Sequence, residues 1–183
     1  MQTLIFNGSP RPNGDTAALI RAFTGALRGE ARVIDCYTAA ISPCVDCRAC
    51  KAVFSCAIRD DMQAVYPLIH AADNIVIASP VYYSELTGRV LDVLSRLQCG
   101  YYARLRGEAG FCDRPRRGSI LLAGGGDGSP NPAVARARIL LRAMGCGEIA
   151  APVTSLNTNA VPAARDEAAL AAARTLAAAW NRA

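Results

Sequence analysis

The chain has 183 residues, of which 52% are hydrophobic and 19% are charged. These fractions are typical of a globular protein, and every apolar run is far shorter than the roughly 20 residues that span a bilayer. The formal net charge is +5, but no basic stripe with interleaved aromatic residues is present, so nucleic-acid binding is not predicted. We expect one domain over residues 1–183, in the cytoplasm, with no signal peptide and no membrane segment.

Segments typical of strands and of helices alternate along the chain, as short apolar runs and as apolar residues that recur every three or four positions. The predicted order is a strand at 3–6, a helix through Leu19, Phe23 and Leu27, a strand at 32–36, a Cys-rich loop at 41–58, a helix at 60–71, a strand at 74–78, a helix at 84–97, an irregular insertion at 98–117, a strand at 119–123, a helix at 131–144, a weak strand at 147–153 and a helix at 161–181. This alternation predicts an α/β fold of the flavodoxin-like type. Its doubly wound, five-stranded parallel sheet has the order 2-1-3-4-5 and helices on both faces.

The loop at 8–16 follows the first strand and is short, polar and rich in Gly and Pro. A strand that turns sharply into a helix directs backbone N–H groups, and the positive end of the helix dipole, at one point. Arg11 adds a charged bidentate donor, and Ser9, Asn13 and Thr16 add neutral donors. The segment predicts a site for a phosphate monoester, with a plain turn and helix cap as the structural alternative.

Two further loops, at 79–84 and 124–128, follow the third and fourth predicted strands. Tyr82 and Tyr83 in the first of them can stack on a flat ring or contact its edge, and the glycines of the second permit close approach of the backbone. The alternatives are tyrosines that belong to the core or to an interface, and a flexible strand end. Because the carboxyl ends of parallel strands share one edge of the sheet, all three loops are predicted to form one site for a phosphorylated flat ring.

Four of the eight cysteines form the run Cys44-x2-Cys47-x2-Cys50-x5-Cys56. Disulfides are not expected in a reducing compartment. Steps of three residues in a tight loop bring sulfurs to one side, and this spacing resembles the runs that hold Fe–S clusters. Zinc and unmetallated thiols are the alternatives. The remaining cysteines are expected to be small buried side chains: Cys36, Cys99, Cys112 and Cys146.

The sequence contains no set of residues typical of acid–base hydrolysis. The only histidine, His70, is predicted at a helix end, and no catalytic side chain is assigned. Arg114, Arg116 and Arg117 form a tight cluster that is interpreted either as a solvated loop or as a contact for an acidic partner or a cofactor phosphate.

Together the three loops resemble those of the flavodoxin-like NAD(P)H-dependent FMN reductase superfamily, over nearly the whole chain. The family start looks like Gly-Ser-Pro-Arg-x-x-Gly-x-Thr, as at 8–16 here, and Asp60-Asp61-Met62 and Ser79-Pro80-Val81-Tyr82 are also similar to the family. The resemblance implies FMN as cofactor, with the chemistry carried by flavin N5. The implied FMN-binding residues are Ser9, Arg11, Asn13, Gly14, Asp15 and Thr16 around the phosphate, Pro80, Val81, Tyr82 and Tyr83 along the isoalloxazine ring, and Gly124 and Gly125 in the third loop.

The cysteine run is similar to the compact motif of the iron-sulfur flavoproteins within the same superfamily. That similarity implies a 4Fe-4S cluster held by Cys44, Cys47, Cys50 and Cys56 that exchanges electrons with FMN. It also implies NAD(P)H or a ferredoxin-like carrier as electron donor, an unidentified acceptor, and a homodimer or homotetramer in which a neighbour completes the flavin site. The insertion at 98–117, with Tyr101, Tyr102 and Phe111, is the candidate contact.

Two positions depart from the family pattern. Asp15 stands where related sequences carry Asn; since a carboxylate would repel a phosphate, we expect it to turn away and cap the helix while its N–H is used. Leu91 and Ser95 stand where relatives carry a Lys and the Asp of an Asp-Arg pair, so that only Arg96 remains. The alternative functions are an electron carrier without turnover, a zinc- or thiol-based redox sensor, and a cluster-free NAD(P)H:quinone or metal-ion reductase.

Overall fold

The computed structural model describes residues 1–182, so that Ala183 of the predicted domain lies outside the described residues. Its strands are β1 (Gln2–Asn7), β2 (Glu30–Asp35), β3 (Asn74–Tyr82), β4 (Glu85–Leu86), β5 (Arg116–Ala123), β6 (Cys146–Ile149) and β7 (Val153–Ser155). Its helices are α1 (Asp15–Ala26), α2 (Met62–Ala71), α3 (Gly88–Ser95), α4 (Gln98–Leu105), α5 (Asn131–Ala143) and α6 (Glu167–Trp180), with short 3-10 turns at Ala49–Lys51 and Ala163–Arg165. None of these helices combines the length and the apolarity that crossing a bilayer requires.

The parallel sheet has the order β2-β1-β3-β5-β6, with β7 also paired to β5 and β4 antiparallel to β3. The predicted five-stranded order is therefore confirmed only in part, because seven strands are present. The predicted weak strand at 147–153 is two strands, which pair with the beginning and the end of β5. Pro152 lies between them and has no N–H to donate to a ladder, which accounts for the interruption.

Both faces of the sheet are covered, and this explains why its central strands are continuously apolar. Side chains of β1, β3 and β5 that point to one face pack against α2, α3 and α5. Those that point to the other face pack against α1 and α6. On that second face, Phe23 and Trp180 meet edge to face with their ring centroids 5.4 Å apart.

The segment at 98–117, predicted as an irregular insertion, begins with α4 and ends in the first residues of β5, so that only residues 106–115 are irregular. Tyr101 is exposed, but Phe111 is only 1% exposed, so the expectation that Phe111 offers a surface contact is wrong. Its ring lies against Gly100, where a Cβ would come within 2.3 Å of it. The missing side chain at Gly100 thus creates the space into which Phe111 folds.

Of the three clustered arginines, Arg116 and Arg117 belong to β5 and have structural roles, so the solvated-loop interpretation holds only for Arg114, which precedes the strand. Arg116 is 3% exposed and donates to the backbone oxygens of Phe111 at 2.7 Å and His70 at 3.0 Å. Arg117 donates to Asn74 Oδ1 at 2.8 Å. Arg114, at the surface, forms an ion pair with Asp73 at 3.1 Å. Arg116 therefore fixes the end of α2 and the segment around Phe111 against the sheet.

Candidate functional site

The loops after β1, β3 and β5 meet at the carboxyl edge of the sheet and enclose a cavity of about 150 Å³. The predicted residues that line it are Ser9, Arg11, Asp15, Thr16, Pro80, Val81, Tyr82 and Gly125. Asn13 and Gly14 instead line an adjoining depression of about 570 Å³, together with Arg11 and Arg21. Gly124 packs behind the cavity wall, where a Cβ would lie 2.9 Å from Leu156 Cδ2.

The loop after β1 begins with a tight approach to α3. The Gly8 N–H donates to Ala78 O at 2.7 Å, and Thr87 Oγ1 donates to Gly8 O at 2.8 Å. A Cβ at Gly8 would lie 2.2 Å from Val90 Cγ2. Only glycine fits at this position, and the following residues are thereby held over the N-terminus of α1.

Replacing Gly8 by alanine is expected to lower the free energy of unfolding by about 1–3 kcal/mol, because the added methyl group overlaps Val90. Urea denaturation measures the change. Gly25→Ala is the matched control, since Gly25 lies in α1 and a Cβ there meets nothing within 4 Å. That control is expected to be neutral or slightly stabilising, and equal losses in both variants would contradict the steric argument.

The Asp15 carboxylate does not cap α1 as predicted. Its Oδ1 accepts a hydrogen bond from the Ala163 N–H at 2.8 Å, while the N-cap position of α1 is Gly14, which offers no side-chain cap. Asp15 therefore ties the 3-10 turn at Ala163–Arg165 to the start of α1. One of its two carboxylate oxygens is occupied by the protein's own backbone.

Two residues that the sequence analysis did not select, Thr158 and Asn159, also line the cavity. Their backbone N–H groups donate to Gly124 O at 2.9 Å and to Gly125 O at 3.2 Å, which binds the loop after β7 to the loop after β5. The sequence feature that could have identified Thr158 and Asn159 is the polar segment that follows the last parallel strand at the same sheet edge. The predicted strand ends at 153, which is the first residue of β7, so the segment that follows β7 was not recognised as a loop at the sheet edge.

Tyr82 and Tyr83 stand on the hairpin between β3 and β4, and they are not core residues. Tyr82 lines the cavity, whereas Tyr83 is not among the residues that line it. Tyr82 is 48% exposed and Tyr83 is fully exposed. Tyr83 and Ser84 have φ values of +51° and +64°, as in the two-residue turns that match the twist of a hairpin. A tyrosine rarely adopts this backbone conformation, so the turn holds an aromatic ring in solvent at a local conformational cost.

The four cysteines of the predicted run surround a second cavity, of about 350 Å³, which Arg96 and Cys99 also line. Cys44, Cys47, Cys50 and Cys56 all contribute to its wall. Among residues 1–182, no three His, Cys, Asp or Glu side chains converge closely enough to hold a single metal ion.

Arg96 at the end of α3 holds this Cys-rich loop in place. The side chain is fully buried and donates to Ser42 O at 2.9 Å, to Ile58 O at 3.1 Å and to Asp60 Oδ2 at 2.6 Å. Asp60 is the partner that the sequence did not identify. Ser95 contributes as well, because its Oγ accepts a hydrogen bond from the Cys44 N–H at 2.9 Å.

Two more arginines bind the same loop through its carbonyl groups. Arg89 donates to the backbone oxygen of Ile41, the first residue of the loop, and to those of Cys36 and Ala39 just before it. Arg106, which follows α4, donates to Cys50 O at 2.8 Å and to Lys51 O at 3.0 Å. The fold thus uses charged side chains from two helices to shape a loop that has little regular structure of its own.

A sequence profile described as NADPH-dependent FMN reductase matches residues 1–160. The chain belongs to the NADPH-dependent FMN reductase family. The resemblance inferred from the loop motifs is thereby confirmed.

Curated relatives of this FMN reductase family member include iron-sulfur flavoproteins. It is 30% identical to one from Archaeoglobus fulgidus over 142 residues, which are 75% of this chain and 61% of the relative. It is 30% identical to another from Methanocaldococcus jannaschii over 110 residues, which are 57% of each protein. The chain spans about three fifths of the length of these two relatives.

Solved structures share the fold. The NAD(P)H:quinone oxidoreductase from Methanothermobacter marburgensis superposes with a TM-score of 0.74, at 16% identity, over 97% of this chain and 94% of that chain. An FMN-dependent NADH-azoreductase from Bacillus anthracis, in complex with FMN, superposes with a TM-score of 0.72, at 13% identity, over 98% and 99%. At these identities the likeness shows the fold alone.

Burial and neighbouring groups shift the pKa values of five cysteines, four of them upward and one downward. Burial raises the pKa of Cys36 and Cys146 to about 12 and that of Cys99 to about 11, so these thiols stay neutral. At Cys56, burial also disfavours the thiolate, but a backbone hydrogen bond at Ile58 and the nearby Arg96 guanidinium lower the pKa of the thiol. In the same loop, burial raises the pKa of the Cys50 thiol. Because the thiolate is the form that binds metals, the surroundings of Cys56 favour a metal ligand and those of Cys50 do not.

Proposed function

We propose that this protein is an FMN-dependent oxidoreductase that takes electrons from NAD(P)H or a ferredoxin-like carrier and passes them to an acceptor through a 4Fe-4S cluster. The proposal treats residues 1–183 as one FMN-binding domain. The observation that carries it is the meeting of the loops after β1, β3 and β5 around one cavity at the carboxyl edge of the sheet. Family membership supports FMN and a nicotinamide donor.

The residues at this edge fit FMN. The loop after β1 can lie over the N-terminus of α1 only because Gly8 has no side chain. This loop presents backbone N–H groups and the Arg11 guanidinium to a phosphate. The cavity of about 150 Å³ is smaller than the roughly 300–1,000 Å³ that ligand sites usually enclose. We therefore expect the phosphate to lie inside and the ring to lie at the mouth, beside Tyr82 and Tyr83.

The open mouth of the flavin site favours the proposed homodimer or homotetramer. Two tyrosines that are half or fully exposed there present apolar ring surface to solvent, and a neighbouring copy could cover it together with the bound ring. Sedimentation analysis of the FMN-loaded protein tests this part of the proposal, and a monomer at all accessible concentrations would contradict it.

The cavity lined by Cys44, Cys47, Cys50 and Cys56 fits a polynuclear cluster better than zinc. A structural zinc ion needs four ligands within about 2.3 Å, and among residues 1–182 no three His, Cys, Asp or Glu side chains converge on one point. Arg96 also lines the cavity, and its Nε has no hydrogen-bond partner among the described residues. That buried donor suits a group with negative charge, such as a thiolate-ligated cluster.

The helix α3 connects the two sites. Val90, near its beginning, packs against Gly8 of the phosphate loop, and Ser95 and Arg96, at and just beyond its end, line the Cys-rich cavity. An eight-residue helix is about 12 Å long, so both redox groups would lie at the two ends of one short rigid element. Bound FMN would supply hydride acceptance and electron transfer, while the chain binds it, orients it and sets the distance to the cluster.

An anaerobic preparation analysed for FMN, iron and sulfide together tests the proposal. We expect flavin absorption bands after reconstitution with FMN, and iron and sulfide in equal amounts. If the protein does not bind FMN, the proposed oxidoreductase function is overturned. If it contains zinc but neither iron nor sulfide, the result supports the zinc-based redox sensor instead. Steady-state oxidation of NADPH with ferricyanide as acceptor distinguishes an enzyme from a pure electron carrier, because a carrier would oxidise almost no NADPH.

A further inference from the structure

A carboxylate lies in the cavity that the proposed function gives to the FMN phosphate. Among residues 1–182, the wall of this cavity of about 150 Å³ carries two charged side chains, Arg11 and Asp15. A phosphate held in so small a space lies beside both of them. Its attraction to the Arg11 guanidinium is therefore offset by repulsion from the Asp15 carboxylate.

The same carboxylate has a structural partner in another part of the chain. Its Oδ1 accepts a hydrogen bond from the Ala163 N–H at 2.8 Å, and Ala163 is fully buried. Pro162 and Ala164, on either side of Ala163, line the depression that adjoins the cavity. Asp15 thus fixes the final part of the loop at 156–165, which follows β7, to the first turn of α1.

The first part of this loop forms a wall of the cavity. Thr158 and Asn159 line the cavity, and Thr158 is only 9% exposed. Asn157, which precedes them, has a φ of +58°, and its N–H donates to Gly126 O at 3.0 Å. Asparagine adopts this backbone conformation more readily than most residues. The loop is therefore attached to the loop after β5 at its beginning and to Asp15 near its end.

We propose that Asp15 is a specificity-determining residue of the flavin site, which lowers the affinity for the phosphate while it positions the loop at 156–165. This inference rests on the proposed function and concerns the class of flavin that the site accepts. Because the carboxylate opposes a phosphate dianion, the phosphate contributes little to affinity, and the Kd values for FMN and riboflavin lie within about tenfold of each other. Binding then depends on the rest of the flavin, for which the positioned loop provides Thr158 and Asn159.

The charge of Asp15 and its hydrogen bond to Ala163 are separable. An asparagine at this position can accept the same hydrogen bond through its amide oxygen, but it carries no charge. The charge is therefore not needed to position the loop, and its effect falls on an anion in the cavity. Asparagine at position 15 removes the charge alone, whereas alanine removes the charge and the acceptor together.

The first test titrates FMN and riboflavin into the flavin-free, full-length Asp15→Asn variant by calorimetry. We expect the Kd for FMN to fall about tenfold, because the repulsion is removed, and the Kd for riboflavin, which has no phosphate, to change less than about twofold. The Kd for FMN should also depend more steeply on ionic strength than in wild type, since the attraction to Arg11 is no longer offset. Glu167→Gln, 80% exposed and outside the cavity, is the control for the same change in net charge.

The second test replaces Asp15 by alanine. We expect the Kd for riboflavin to rise about fivefold relative to Asp15→Asn, because the loop that carries Thr158 and Asn159 loses its attachment to α1. Hydrogen exchange of the Ala163 amide measures this attachment directly. Exchange should be at least about tenfold faster in Asp15→Ala than in wild type, and within about twofold of wild type in Asp15→Asn.

The two levels of the proposal fail differently. If the protein binds neither FMN nor riboflavin, the proposed function is overturned, while exchange at Ala163 still reports on the loop. If wild type binds FMN more than about tenfold more tightly than riboflavin, or if Asp15→Asn leaves the ratio of the two Kd values unchanged, the specificity role is wrong and the proposed function stands. Equal exchange of the Ala163 amide in wild type and Asp15→Ala would show that Asp15 does not position the loop.

Discussion

Replacing Arg96 by methionine is expected to lower the free energy of unfolding by about 3–5 kcal/mol. The guanidinium is fully buried and pairs with Asp60 at 2.6 Å. Its loss leaves a poorly solvated carboxylate and two backbone oxygens, of Ser42 and Ile58, without their donor. Breaking a buried pair by removing one partner is among the costliest single substitutions. Urea denaturation measures the difference.

A surface arginine supplies the matched control. Arg32→Met removes an exposed ion pair with Glu30, whose members are 58% and 60% exposed, and should change stability by less than about 1 kcal/mol. The double variant Asp60→Asn/Arg96→Met should lose less than the sum of the two single losses, because each single change already breaks the pair. Additive losses would show that the two side chains act independently and would contradict the argument.

Lowering the pH should remove the stability that the Asp60–Arg96 pair contributes. Desolvation opposes ionisation of Asp60, but Arg96 and the N–H groups of Ser42 and Met62 lower its pKa below the ordinary value. A depressed carboxylate pKa adds stability above the unfolded-state value of about 3.9, and that stability is lost as the pH falls through the lower folded value. The stability advantage of wild type over Asp60→Asn should therefore be present at neutral pH and shrink below about pH 4.

The sequence was sufficient for the parts of the fold that depend on local pattern. Continuous apolar runs identify β1, β3 and β5 because both faces of the sheet are buried, and the loops that follow them must share one edge once the strands are parallel. This is why Ser9, Arg11, Pro80 and Gly125 could be grouped before their positions were known. The grouping follows from topology and needs no side-chain geometry.

Contacts between segments that are far apart in the sequence could not be predicted from local pattern. Asp60 and Arg96 are 36 positions apart, and nothing in either local pattern indicates that they meet. The helix α4 has only eight residues and a mixed pattern, so the segment resembled a loop, and Phe111 was assigned to the surface. The partners of Phe111 come from α2 and the Cys-rich loop, and its burial depends on the space left by Gly100.

The largest effect on the iron and sulfide content of the protein is expected when Cys47 is replaced by alanine. Iron and sulfide should fall together by more than about tenfold, since changes that only touch a metal's surrounding shell already cost 10–100-fold in affinity. FMN content should not change, because the flavin site is built from other loops. Cys47 is exposed, so its replacement leaves no cavity in the core, and the loss can be assigned to the missing ligand.

Cys112→Ala is the matched control for Cys47→Ala, because Cys112 is a partly exposed thiol outside the Cys-rich cavity. It should keep its iron, sulfide and FMN. The alternatives predict different results: a zinc site loses zinc but contains no sulfide in any variant, and unmetallated thiols show no change in metal at either position. If Cys47→Ala keeps full iron and sulfide, the cluster is not held by this run. If it loses both yet reduces ferricyanide at the wild-type rate, electrons reach that acceptor without passing through the cluster.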